Sequence, residues 1–207
     1  MINCTTPIQP DTELYYQAVG LVRGQYLPSQ GSFSQGILLT EDGLMAPANL
    51  LGAATSLLER HEELLQQPHI WIVYPRTKLQ PPHLQFALRA IRQPPAPEEL
   101  EVVHQNIDYF TVRGLVTYID DKAGNFVVRV YRNVKSSDIT EHTKDKDDQL
   151  FLLTLVGIMP KDAYGQFWEL RVHRQADRLI LKDAKFIAQV FQPKKKPSKK
   201  RQTKKKL

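Results

Sequence analysis

Arginine and tyrosine alternate with apolar residues in the segment FVVRVYRN, Phe126–Asn133. Because successive side chains of a β-strand point to opposite faces, this pattern predicts a strand that buries one apolar face and presents Arg129 and Tyr131 on the other. Such a face suits single-stranded nucleic acid, since a base stacks on the ring while the guanidinium meets a phosphate or a base. Tyr118, on the preceding predicted strand, would join this face. The alternative is an ordinary amphipathic strand whose arginine covers the surface with its aliphatic stem.

Two further segments resemble each other, QFALRAIRQ at Gln85–Gln93 and QFWELRVHRQ at Gln166–Gln175. When one inserted residue is allowed, the arginines of the two segments correspond in pairs: Arg89 with Arg171, and Arg92 with Arg174. This repetition predicts a common position on the last core strand of each half of the chain. At that position the arginines either contact nucleic acid or cover the rim of the fold with their stems.

The C-terminal segment KKKPSKKRQTKKKL, Lys194–Leu207, carries nine basic residues and no acidic one. Removing these nine from the 28 basic residues leaves 19 against 22 acidic residues, so the rest of the chain is mildly acidic. Because like charges repel one another, the segment is predicted to be a disordered cationic tail. The basic residues are Lys194, Lys195, Lys196, Lys199, Lys200, Arg201, Lys204, Lys205 and Lys206.

A tail of this kind displaces condensed counterions from RNA or DNA, and its affinity for nucleic acid is therefore salt-sensitive and independent of sequence. The alternatives are an acidic protein or an anionic membrane surface as partner, or a tail that only keeps the protein in solution. No apolar or lipidation anchor accompanies the tail, which argues against a membrane partner.

No constellation of catalytic residues is visible in the sequence. The six histidines lack the spacing of a metal site, and no phosphate-binding loop or nucleophile elbow is present. Cys4 is the single cysteine, which excludes a disulfide within the chain and a cysteine-based zinc site. We therefore expect no enzymatic activity, no cofactor, no metal and no small-molecule substrate.

The sequence also contains no segment that would take the chain into a membrane. The longest apolar stretch, Leu150–Met159, is too short to span a bilayer, which takes about 20 residues. Residues 1–13 contain no apolar run of the kind found in signal peptides. We expect a cytoplasmic protein.

The chain carries a second pair of similar segments, YYQAVGLV at Tyr15–Val22 and YFTVRGLV at Tyr109–Val116. The two pairs of similar segments occur in the same order in both halves of the chain. This predicts an internal duplication in which Gly20 and Gly114 occupy equivalent positions. A glycine in the middle of a long strand permits the bend that a closed barrel requires.

Each half of the chain reads as five strands rich in Val, Ile, Leu, Phe and Tyr and bounded by turn residues. The predicted strands are Leu14–Gly24, Phe33–Thr40, Leu44–Ala48, His69–Pro75 and Leu84–Arg92, then Phe110–Ile119, Phe126–Asn133, Leu150–Met159, Gln166–His173 and Arg178–Ile187. Apolar residues at helical spacing predict one helix at about Leu50–Gln67 in the first half. In the second half the polar segment KSSDITEHTKDKDDQ is expected to replace this helix.

The order strand–strand–strand–helix–strand–strand resembles the OB-fold, a small five-stranded barrel, and the chain resembles tandem OB-fold nucleic-acid-binding proteins. The expected fold is mainly β, with two tandem OB-like five-stranded barrels, one helix in the first barrel and a disordered basic C-terminal tail. The expected boundaries are residues 12–93 for the first barrel, 94–101 for a Pro-rich linker, 102–192 for the second barrel and 193–207 for the tail. A small barrel of another topology, such as an SH3-like barrel, is the alternative.

These features predict a non-enzymatic intracellular protein that binds RNA or single-stranded DNA, with RNA slightly favoured as the partner. The tail would contact phosphates and the second barrel would stack bases. The alternative is a protein-interaction or assembly factor, whose barrels dock a partner protein while the tail holds it to a ribosome or another anionic assembly.

Overall fold

The computed structural model describes residues 14–93, 96–131 and 150–191, which form two β-barrels. The first barrel contains the strands β1 (Gln17–Ser29), β2 (Ser32–Thr40), β3 (Met45–Leu50), β4 (His69–Thr77) and β5 (Leu84–Ile91). Helix α1 (Gly52–Arg60) and a 3-10 turn, Glu62–Gln66, lie between β3 and β4. A 3-10 turn, Pro97–Glu99, and helix α2 (Leu100–Gln105) lead into the second barrel. Its strands are β6 (Tyr109–Asp120), β7 (Asn125–Tyr131), β8 (Leu150–Val156), β9 (Gln166–Gln175) and β10 (Arg178–Gln189).

Both barrels close by the same pattern of strand pairing. In the first barrel β1 pairs with β2 and β4, β2 pairs with β3, and β5 joins β3 to β4. In the second barrel β6 pairs with β7 and β9, β7 pairs with β8, and β10 joins β8 to β9. The pairings β3–β5 and β8–β10 are parallel and the others are antiparallel. This order is that of the OB-fold, so the predicted fold of two tandem barrels is confirmed.

Alternating side chains fill the inside of each barrel. Val22, Tyr26, Leu38, Trp71 and Phe86 are buried in the first barrel, and Val112, Phe126, Val128, Leu153 and Leu170 are buried in the second. Each such side chain contributes about 1.5–3 kcal/mol relative to an exposed one. Two polar groups that enter the first core have partners. Trp71 Nε1 donates to the Gly24 carbonyl at 2.9 Å, and Tyr26 Oη donates to the Phe33 carbonyl at 2.9 Å.

The two barrels are joined directly, and not only through the segment that connects them in sequence. The first residues of β1 pair antiparallel with β6, from Gln17 opposite Arg113 to Gly20 opposite Phe110. At the other side of this joint, Thr77 Oγ1 accepts a hydrogen bond from the Thr154 amide at 2.8 Å. The ladder and this cross-link hold β4 of the first barrel beside β8 of the second.

The predicted equivalence of Gly20 with Gly114 is wrong. In the first barrel, β1 changes its partner from β4 to β2 at Gly24, which pairs with both strands. In the second barrel, β6 changes from β9 to β7 at Leu115, directly after Gly114. The partner change thus falls at Gly24 in one barrel and one residue after Gly114 in the other. An added Cβ at either glycine would also meet a carbonyl oxygen of the second strand, so Gly24 is the counterpart of Gly114. Gly20 instead lies against the second barrel, where a Cβ atom would meet the backbone of Tyr109 and the ring of Phe110.

The second pair of similar segments does not occupy equivalent positions either. Gln85–Gln93 contains β5, the fifth strand of the first barrel, whereas Gln166–Gln175 is β9, the fourth strand of the second. The predicted common position of Arg89 with Arg171, and of Arg92 with Arg174, is therefore wrong. The two barrels share a topology, but the similar sequence segments do not lie at equivalent positions in it.

The connections between the strands differ between the two barrels. Helix α1 lies between the third and fourth strands of the first barrel, inside the predicted range, and buries Ala54 and Leu58. The corresponding connection of the second barrel contains only a 3-10 turn, Lys161–Ala163. The polar segment that was expected to replace the helix precedes β8 instead, and it lies outside the described residues. Helix α2 was not predicted.

The predicted disordered tail, residues 193–207, also lies outside the described residues, as do residues 1–13. In the part of the chain that the structure describes, neither helix has the length and the apolar character needed to cross a bilayer.

Candidate nucleic-acid interface

The outer face of β7 carries Arg129 and Tyr131, as the alternation in the sequence predicts. Phe126, Val128 and Val130 are buried in the barrel, and the side chains between them are partly exposed. Arg129 Nε is buried and lacks a hydrogen-bond partner among the described residues. An unsatisfied buried donor costs about 1–3 kcal/mol, which a ligand or a water molecule would recover.

Tyr16 packs over this face from the segment that precedes β1. Its ring lies 5.0 Å from the ring of Tyr131 and 5.0 Å from that of Phe167, in edge-to-face geometry in both cases. Burial raises the pKa of Tyr16, the neighbouring Tyr131 raises it further, and the positive charge of Arg129 opposes this shift. The cationic–aromatic face predicted on β7 is thus part of a larger aromatic cluster.

A cleft of about 790 Å³ opens between the two barrels beside this cluster. One wall is the outer face of β4 and β5, which presents Tyr74, Arg76 and Arg89. The opposite wall contains Tyr131 of β7 and Phe151 of β8. Two tyrosines of the N-terminal segment, Tyr15 and Tyr16, also line the cleft, and none of its described lining residues is acidic.

Both arginines of the cleft lie against aromatic rings. The Arg76 guanidinium stands 3.8 Å from the centroid of the Phe151 ring, so a side chain of the first barrel covers one of the second. The Arg89 guanidinium lies 6.0 Å from the centroid of the Tyr74 ring. Cation–π contacts of this kind contribute about 0.5–1 kcal/mol at exposed sites, and they orient the guanidinium groups within the cleft.

Tyr118 stays apart from the cleft. It lies near the β6–β7 turn with 53% of its surface exposed, opposite Val127 in the strand ladder. Its hydroxyl is 3.5 Å from an Asp120 carboxylate oxygen. Tyr118 therefore lies on the outer face that Val127 shares with Arg129 and Tyr131, but four residues along β7 from Tyr131 and outside the cleft.

The other predicted arginines are scattered. Arg171 is exposed on β9, where its guanidinium lies 4.7 Å from the centroid of the Tyr109 ring and donates to Asn106 Oδ1 at 3.2 Å. Arg92 faces Glu99, with Nη2 at 3.8 Å from a carboxylate oxygen. Of the four arginines singled out in pairs, only Arg89 lines the cleft.

Arg174 cannot serve as a contact for nucleic acid, because its side chain is only 3% exposed. It binds the carboxylates of Asp42 in the first barrel and Asp108 in the second. The sequence suggested a cation on a strand surface, but the structure buries this cation between two acids. The predicted contacts in the tail, Lys194–Lys206, lie outside the described residues.

Sequence reasoning missed the cleft, although a signal for part of it exists. In the segment HIWIVYPRT the residues Tyr74 and Arg76 alternate with buried Val73 and Pro75. This is the same arrangement of an outward aromatic and an outward arginine as in β7. No pattern within one strand indicates that the two outward pairs face each other, since that follows from the pairing of β1 with β6.

The fold and two matching family models define the class, and the chain belongs to the tandem OB-fold nucleic-acid-binding proteins. Residues 18–99 match the family model described as the PatR RNA-binding protein, N-terminal OB-fold domain. Residues 112–188 match the model described as the cyanobacterial OB-fold-like RNA-binding domain, C-terminal. Both are families of RNA-binding domains, not of enzymes, so the comparison supports RNA binding. Searches of curated proteins and of solved structures gave no match.

Proposed function

We propose that this is a non-enzymatic RNA-binding protein of the cytoplasm, in which the second barrel stacks bases at Arg129 and Tyr131 while the C-terminal tail contacts phosphates. The observation that supports it is the outward arginine–tyrosine pair of β7, on a barrel that matches an RNA-binding domain family. Stacking holds a base whatever its identity, and a neighbouring guanidinium adds charge and a cation–π contact.

The last described residue before the tail belongs to the barrel that carries this face. Ala188 of β10 pairs with Phe167, whose ring contacts Tyr16, and the last described residue, Phe191, follows three positions later. The 16 residues after Phe191 span at most about 58 Å when fully extended. The nine cations of the tail can therefore reach phosphates of an RNA strand whose bases lie on β7, and they offset the acidic character of the rest of the chain.

The experiment is a titration of an unstructured single-stranded RNA at several salt concentrations. Deletion of Lys194–Leu207 should flatten the slope of log affinity against log salt, because fewer counterions are released on binding. An unchanged slope would exclude the tail from the mechanism.

The stacking part is tested with Arg129→Ala combined with Tyr131→Ala. This variant should lose more affinity at high salt than at low salt, since salt screens charge more strongly than stacking. Arg178→Ala is the matched control, because Arg178 is a half-exposed arginine at the start of β10. Equal losses in both variants would contradict a specific role of the β7 face.

A second candidate function, docking of a partner protein, is favoured by exposed aromatic side chains near the end of β10. Tyr164, Phe186 and Phe191 are each about half exposed, at 48%, 48% and 55%. Under this function Phe186→Ser would abolish a nuclease-resistant complex while RNA affinity stays unchanged. Under the RNA-binding proposal, nuclease would remove whatever co-purifies.

A further inference from the structure

We propose that the cleft between the two barrels binds an unpaired segment of RNA, with bases stacked among Tyr15, Tyr74 and Tyr131 and phosphates held by Arg76 and Arg89. The inference rests on the proposed RNA-binding function and assigns it a site that spans both barrels. It extends the single outward face of β7 to a surface with two walls.

The wall on the first barrel is built from neighbouring strands. Tyr74 of β4 pairs directly with Ala87 of β5, and Arg89 lies two residues further along β5 on the same face. Because Ala87 is small, the direct ladder partner of Tyr74 does not cover its ring, which lines the cleft. The Arg89 side chain is exposed, so its charge is accessible from the cleft.

The opposite wall presents aromatic rings at the point where β7 ends and β8 begins. Tyr131 is the last residue of β7, and Phe151 is paired with Val130 in the adjoining ladder. Tyr15 is 51% exposed beside them. Rings from three separate chain segments therefore line one space, which is the arrangement on which successive bases of a single strand stack.

Charge distinguishes this space from the rest of the folded surface. The residues that the structure describes carry 15 basic and 15 acidic side chains, and among these residues the cleft is lined by two arginines and no acid. A polyanion is attracted into a space that is lined by arginines and has no acid among its described residues. Flat aromatic walls with arginines suit nucleotides better than an anionic peptide, because a peptide backbone has no equivalent of stacked bases.

The walls hold their separation without a ligand. The β1–β6 ladder joins the barrels on one side. On the other side Thr77, next to Arg76, bonds the Thr154 amide at 2.8 Å and the Leu152 carbonyl at 3.4 Å. A preformed cleft of about 790 Å³ costs little ordering entropy on binding. Duplex RNA would not enter, since its bases are stacked inside the helix.

The experiment compares Arg89→Glu with Arg60→Glu in the full chain. Both arginines are exposed and both substitutions change the net charge equally, but Arg60 lies at the end of α1 and does not line the cleft. Binding of an unstructured RNA oligonucleotide, followed by fluorescence anisotropy at one salt concentration, should weaken at least about tenfold in Arg89→Glu. In Arg60→Glu the change should stay within about twofold, because only long-range charge is altered.

A second pair of variants separates stacking from charge. Tyr74→Leu should weaken single-strand binding about fivefold or more, whereas Tyr74→Phe keeps the ring and should bind as the wild type does. Circular dichroism and thermal melting check that both variants fold. Photo-crosslinking of a thiouridine-containing RNA should modify Tyr15, Tyr74 or Tyr131.

The outcomes separate the two proposals. If the wild type binds the RNA but Arg89→Glu and Tyr74→Leu bind as tightly as Arg60→Glu, the cleft is not the site and the proposed function still stands. If the wild type binds no single-stranded RNA, the proposed function itself is wrong. Equal loss of single-stranded and duplex RNA in Arg89→Glu would show a general charge effect and would also overturn the cleft.

Discussion

Arg174 of the second barrel and Asp42 of the first form a two-pronged ion pair, with Nη1 and Nη2 at 2.9 and 3.0 Å from the two carboxylate oxygens. The same guanidinium donates from Nε and Nη2 to Asp108 at 2.7 and 2.8 Å, and from Nη1 to the Ala176 carbonyl at 3.2 Å. All five N–H donors of the arginine are therefore used. The pair ties the β2–β3 turn of one barrel to β9 of the other, on a joint that also contains the β1–β6 ladder.

Replacing this arginine should destabilise the protein as a whole. Arg174→Met removes five hydrogen bonds and leaves two carboxylates facing each other across the joint. We expect the free energy of unfolding to fall by about 2–3 kcal/mol. This loss is smaller than the about 3–5 kcal/mol expected when a fully buried ion pair is broken, because Asp42 is half exposed and water can solvate it. Denaturant unfolding measures this quantity.

Arg178→Met is the control for this prediction. Arg178 lies at the start of the adjoining strand β10, with 48% of its side chain exposed, and its pair with Asp177 spans 3.6 Å. An exposed ion pair of this kind contributes little to stability, so the free energy of unfolding should change by no more than about 0.5 kcal/mol. If both variants unfold alike, Arg174 does not hold the barrels together.

The same contact predicts how stability depends on acid. Hydrogen bonds from Arg174 are the largest cause that lowers the pKa of Asp42 from 3.8 to about 2. Since the folded-state pKa lies below the unfolded one, this contribution is complete above about pH 4 and is lost as the pH falls toward 2. Asp42 is half exposed, so screening by solvent makes this contribution to the stability smaller than the pKa shift alone implies.

Melting temperatures of the wild type and Asp42→Asn, measured from about pH 6 down to pH 2, test this dependence. The wild type should be the more stable protein at the upper end of the range, and the difference should shrink as the pH approaches 2. A constant difference between the two proteins across the range would mean that the charge of Asp42 does not contribute.

The sequence allows the barrels to be predicted because their signals are local. Alternating apolar residues in β7 set the inward and outward faces, and Arg129 and Tyr131 follow directly from them. The environment of Arg174 could not be predicted in this way, because its partners lie 132 and 66 positions away in the chain. The cleft depends in the same way on how two barrels join, which no single strand encodes.

The repeated glycines show how sequence similarity can mislead. Gly20 and Gly114 stand in nearly identical segments, yet their Cβ positions meet different elements, since Gly20 faces the other barrel and Gly114 faces β7 of its own. The first strand of each barrel bends where its backbone comes close to the second strand, and this close approach requires a glycine. Gly114 occupies that position in the second barrel, and Gly24 occupies it in the first. Sequence similarity alone does not reveal which strand a glycine approaches.

This equivalence makes a prediction about Gly24 and Gly114. An added Cβ at Gly24 would lie 2.5 Å from the Leu39 carbonyl oxygen of β2, and one at Gly114 would lie 2.5 Å from the Arg129 carbonyl oxygen of β7. In both barrels the neighbour is backbone, which cannot move aside without breaking the ladder. Gly24→Ala and Gly114→Ala should each lower the free energy of unfolding by about 1–3 kcal/mol.

Gly52→Ala is the matched control, because nothing lies within 4 Å of the Cβ position of Gly52. Gly52 is the first residue of α1, so alanine there should leave the stability unchanged or raise it by up to about 1 kcal/mol. Urea unfolding of the three variants measures the contrast. The contrary result is that Gly24→Ala and Gly52→Ala have the same free energy of unfolding while Gly114→Ala is destabilised. The bend in the first barrel would then not depend on Gly24.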